Sequence, residues 1–148
     1  MNPSLLAMIA VVFGGAATAL QAPTNAKMMT AVGSPVNAAF VSFAVGTAAL
    51  GILAVILQTR PDMAASRALP WYAWVGGLYG AFFVAIAAYA APRIGLASLI
   101  TIGIAGQIVA AVWLDHIGAL GLPREPINLG KVAGALLVVA GVVLVRRS

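Results

Sequence analysis

A chain of 148 residues with 63% hydrophobic and only 7% charged side chains cannot coat a water-soluble globule, for which roughly 25% charged residues is usual. Its mean hydropathy of +1.07 points to lipid as the surrounding solvent. The formal charge of +5 comes from 8 basic and 3 acidic residues spread between apolar runs, which suits lipid headgroups rather than a nucleic-acid partner. With no cysteine, neither a disulfide framework nor a thiolate metal site is possible.

Charged residues divide the chain into uncharged intervals at 1–26, 28–59, 68–92, 94–114 and 132–145. A membrane-spanning helix needs about 20 apolar residues, and the first four intervals supply them. The first, within "MNPSLLAMIAVVFGGAATAL", lacks the basic start of a secretory signal and reads as a membrane helix over 4–22. A connection over 22–34 follows, signalled by Pro23, Asn25, Lys27, Gly33 and Ser34. The second helix is expected over 35–57, then a loop with Arg60, Pro61, Asp62, Arg67 and Pro70. The third, over 71–91, opens on Trp71, Tyr72 and Trp74; the fourth, over 95–115, closes on Trp113, so these rings are expected to form one interfacial belt. "APRIG" (91–95) is a tight turn between them. The last interval, of 14 residues, measures only about 21 Å as a helix. It spans if it starts near Leu129, over 129–146, with Lys131 and Arg146 snorkelling outward. The runs are continuous and too long for barrel strands. The expected fold class is all-α: one transmembrane domain, 1–148, of five helices that satisfy their own backbone hydrogen bonds.

Alternating spans would put Arg60, Arg67, Arg124 and Lys131 on one side of the membrane and Lys27, Arg93, Arg146 and Arg147 on the other. Orientation is normally set by a Lys/Arg excess on the cytoplasmic side, and these four-and-four sets supply none. Either the N-terminal helix or the Arg146–Arg147 pair decides, or the chain inserts both ways and the two forms pair antiparallel. Small residues let helices approach in lipid, and Gly76 with Gly80, then Gly130 with Gly134, have the i, i+4 spacing for such packing.

Polar residues inside the spans are the candidates for function. Gln107 falls near mid-bilayer, with Gly103 and Gly106 leaving room beside it. An amide facing lipid would lose several kcal/mol of hydrogen bonding, so it should face another helix or a solute cavity. Tyr79, among glycines on the third span, is a second solute-site candidate, and a packed ring with a satisfied hydroxyl is its plainer reading. Asp115 and His116, where the fourth span meets the interface, read either as a proton or ion relay or as a helix-end pair. In the second reading His116 favours the negative end of the helix dipole, and Asp115 pairs with Arg124 or Lys131. One histidine and few carboxylates make no metal shell, and there is no nucleophile–base constellation and no phosphate loop. Neither enzyme activity nor a cofactor is expected.

"QAPTNAKMMTAVGSPVNAAFVSFAVG" (21–46), "WVGGLYGAFFV" (74–84), "APRIG" and "GQIVAAVWLDHIG" (106–118) together resemble the YdcZ family of bacterial inner-membrane proteins. That family is a five-helix branch of the drug/metabolite transporter superfamily. Gln21, Asn25, Ser42, Gly46, Gly77, Pro92, Gly95, Gln107, Asp115, His116 and Gly118 match its pattern. The resemblance implies a half-size transporter in the bacterial inner membrane, whose larger relatives hold two five-helix halves of inverted topology. An antiparallel homodimer of ten helices would rebuild that fold, with Gln107 of both copies near the two-fold axis. A homologous partner chain from another gene is the rival assembly, and a non-transporting scaffold or assembly subunit the rival function. Because no acidic residue lies inside the first four spans except Asp115 at an end, a central-carboxylate proton antiporter is disfavoured. A neutral or amphipathic small solute, or an anion drawn toward Lys131, fits the lining better.

Overall fold

The computed structural model describes residues 2–147. The described residues contain six α-helices: α1 (Pro3–Val32), α2 (Pro35–Ile56), the short α3 (Met63–Arg67), α4 (Gly76–Ile94), α5 (Leu96–Ile117) and α6 (Leu129–Arg147). Five of them, all but α3, are long and apolar enough to cross a membrane. They fall into two compact units, 2–93 and 94–147.

In the first unit, Asn2 caps α1 by accepting a hydrogen bond from the Ser4 N–H, with Pro3 in the first turn. The helix then runs to Val32, ten residues past its expected end. Pro23 and Lys27 do not stop it. Proline removes one hydrogen bond, and a charge alters solvation without altering helix geometry. Buried Ala22 and Asn25 hold this extension against α2, where Ala38 and Ala39 are buried. The connection thus shrinks to Gly33 and Ser34. Gly33 adopts φ 80°, open to glycine at little cost, and its N–H closes the last turn of α1 on the Met29 carbonyl. Ser34 Oγ accepts from the Asn37 N–H at 3.0 Å, and Asn37 Nδ2 donates back to the Val32 carbonyl at 2.9 Å. Thirty residues make α1 about 45 Å long, more than the roughly 30 Å hydrocarbon core.

Asp62 caps α3 through the Ala64 and Ala65 N–H groups. The aromatic residues do not begin the third span. Trp71–Trp74 form a separate 3₁₀ turn, and α4 starts only at Gly76. Pro70 precedes the turn and the Gly76–Gly77 pair follows it, so neither flank propagates a helix well. Trp71 and Trp74 stay exposed, as rings at a headgroup boundary would. On α4, buried Val84, Ala87, Ala88 and Ala91 mark one helical face. Its last turn includes Pro92 and Arg93, and the Arg93 guanidinium lies 3.6 Å from the Tyr89 ring centre.

The second unit is the antiparallel-connected pair α5 and α6, which pack on each other. α5 ends at Gly118 (φ 64°), a left-handed position that returns its N–H to the Asp115 carbonyl. Asn128 caps α6 by accepting from the Lys131 N–H at 2.9 Å. The five spanning helices bury few of their residues, so lipid or other helices must cover the rest.

Candidate functional site

At the C-terminal end of α5 the chain gathers most of its second-unit charge. Lys131, from the first turn of α6, reaches Glu125 Oε2 at 2.9 Å and Asp115 Oδ2 at 3.9 Å. Arg124 Nε donates to the His116 carbonyl at 3.0 Å, capping the negative end of α5 with a cation. His116 Nδ1 accepts from the Ile127 N–H at 3.2 Å, and the Glu125 N–H donates to the Asp115 carbonyl at 2.8 Å. These contacts fasten the 118–128 loop back onto the helix it leaves. Of the two partners expected for Asp115, Lys131 takes the carboxylate, while Arg124 takes the neighbouring backbone. Lys131 thus faces two carboxylates, one at hydrogen-bond distance and one at the edge of ion-pair range.

Gln107 lies half-way along α5 and is exposed. Its amide makes no hydrogen bond among the described residues. Gly103, one turn earlier, is half-buried, and a Cβ added at Gly106 would meet no atom within 4 Å. Tyr79, near the start of α4, is 70% exposed, and its hydroxyl has no partner among the described residues. Gln107 and Tyr79 belong to different units. Of the spaced glycines, Gly80 makes a close approach: a Cβ there would come 3.2 Å from Phe43 Cζ on α2. At Gly130 a Cβ would meet Asn128 Oδ1 at 3.3 Å, while Gly76 and Gly134 face open space.

A second polar group, on α1 and α2, escaped the reading of single residues. Asn25 is 2% exposed and is the only buried polar side chain among the described residues; its Nδ2 has no hydrogen-bond partner. One turn earlier, Gln21 Nε2 donates to Ser42 Oγ at 3.4 Å, a long bond. Pro23 and Lys27 made Asn25 look like a loop residue. The i, i+4 spacing of Gln21 and Asn25 was the available signal, once α1 was allowed to continue past Pro23.

Five long apolar helices with polar groups set inside them define a polytopic α-helical membrane protein in contact with the bilayer. The chain belongs to the family described as "Putative inner membrane exporter, YdcZ", which it matches over residues 6–144. It is a multi-pass inner-membrane protein. It is similar to "Inner membrane protein YdcZ" of Escherichia coli (strain K12), with 32% identity over 77 residues. That stretch is 52% of this chain and 51% of the relative, so the match spans about half the length of each. No solved structure matches the chain.

Proposed function

We propose that the chain is one half of a secondary transporter that moves a small neutral, amphipathic or anionic organic solute across the inner membrane by alternating access. The working unit is an antiparallel homodimer of ten spanning helices, one copy inserted upside down relative to the other. The observation that carries this reading is Gln107, an exposed and unpartnered amide half-way along an apolar span. Leaving it against lipid costs several kcal/mol, which a second chain or a solute removes. The even distribution of basic residues supports insertion in both orientations. In an inverted pair the inward- and outward-open states are related by symmetry, so exchange between them carries little energetic bias. The family's description as an exporter agrees with transport in place of catalysis.

Two measurements test this. Reporters active only in the cytoplasm or only in the periplasm, each fused after residue 148, should both give strong signals. Signal from one alone assigns a fixed topology and leaves a separate partner chain as the other half. In proteoliposomes, solute flux by the native chain should fall at least tenfold in Gln107→Leu. Unchanged flux makes Gln107 interhelical glue, and no flux across a broad solute panel favours a scaffold subunit.

A further inference from the structure

We propose that Asn25, with Gln21 and Ser42, forms a solute subsite within the 2–93 unit that takes a carboxylate group. The inference rests on the transport reading and names the chemistry of what is carried.

A buried amide without a partner destabilises the fold by the hydrogen bonding it forfeits, and an apolar residue of similar size at position 25 would avoid that cost. In the α1–α2 pair the surrounding buried residues are alanines, Ala22, Ala38 and Ala39, which offer Asn25 no side-chain acceptor. The polar groups nearby carry uncommitted donor hydrogens. Asn25 Nδ2 is free. Gln21 Nε2 spends one hydrogen on a long 3.4 Å bond and keeps another. The Ser42 hydroxyl, having accepted from Gln21, donates to nothing among the described residues. No acidic side chain competes for them: the only one in residues 2–93, Asp62, is occupied in capping α3. Lys27, two residues beyond Asn25 on α1, is exposed and unpaired among the described residues, adding positive charge at this end of the helix. Uncommitted donor hydrogens around a buried amide, with a cation nearby, favour a ligand rich in acceptors, and a carboxylate accepts several charge-assisted bonds at once. Access follows from Pro23, two residues before Asn25. It leaves the Ala19 carbonyl without its helical donor, so α1 bends more readily there than elsewhere along its length.

The test uses the full-length protein in detergent at neutral pH, with sodium acetate, lactate, succinate and benzoate as probes against tetramethylammonium chloride and glycerol. At least one carboxylate should raise the melting temperature, and the cation and polyol should not. In Asn25→Leu the melting temperature without probe should hold or rise, while carboxylate affinity should drop roughly tenfold or more. Asn25→Asp, which replaces the donor with an acceptor of the same size, should lose the carboxylate response as well and keeps the test valid if the leucine variant misfolds. A response to the cation or polyol instead, no carboxylate response at all, or a carboxylate response that persists in Asn25→Asp overturns the subsite. The two readings fail separately. Solute flux that survives Asn25→Leu removes the subsite and leaves transport standing, whereas carboxylate binding without flux by the native chain removes transport and leaves the subsite.

Discussion

The imidazole of His116, beside Asp115, accepts a backbone hydrogen bond from the loop that follows α5. The Ile127 N–H donates to Nδ1 at 3.2 Å, so the ring as placed ties the loop to the end of α5. A hydrogen bond of this kind contributes about 1 kcal/mol, or roughly a fivefold change in local opening. In His116→Ala the Ile127 amide should therefore exchange with solvent about fivefold faster, measured by hydrogen exchange; an unchanged rate would show that the loop is held by other contacts. Lys131 acts at the same scale. Its side chain is 23% exposed, while those of Asp115 and Glu125 are 38% and 66% exposed, so solvent screens both pairs. Glu125→Gln should cost well under about 1 kcal/mol in thermal unfolding, and Lys131→Met, which removes both pairs, no more than about 1 kcal/mol.

At the scale of helices, small side chains set how closely neighbours approach. Gly80 of α4 lies under the ring edge of Phe43 of α2, where an added Cβ would come 3.2 Å from Cζ. A methyl group there displaces a movable ring by a few tenths of an ångström, and a larger side chain does not fit. Gly80→Leu should destabilise the fold by about 1–3 kcal/mol through overpacking. Removing the ring in Phe43→Ala should recover part of that loss in the double variant, and a thermal-unfolding double-mutant cycle measures the coupling. Additive losses would place the strain elsewhere.

For the whole molecule the governing fact is how few residues of each span are buried. Most of that surface suits lipid. The exposed Gln107 does not, and the absence of native cysteine makes its surroundings in the membrane easy to probe. If two copies pair antiparallel with Gln107 near the axis, Gln107→Cys should form disulfide-linked dimers on oxidation in native membranes. Arg146→Cys, near one end of α6, should not link to its counterpart, because inversion sends the two ends to opposite membrane faces. Dimers from both variants would indicate a parallel pair, and none from either would indicate that Gln107 meets a solute or a different chain.

Composition by itself determined the class: five apolar runs separated by single charges or short charged stretches can only satisfy their backbones as membrane helices, and four of the five end within about three residues of where the charges predict. The family resemblance was legible for a similar reason, since its residues sit in contiguous runs. Tertiary structure decided what charge and proline signals misstated. α1 continues through Pro23 and Lys27 because α2 packs against its extension, and the aromatic residues stand apart from α4 because glycines delay the helix. It also decided which donors go unanswered. Whether Asn25 is loop or core, and whether Lys131 is free or paired, depends on neighbours brought together by folding, and burial and hydrogen bonding are properties of those neighbours rather than of the residue.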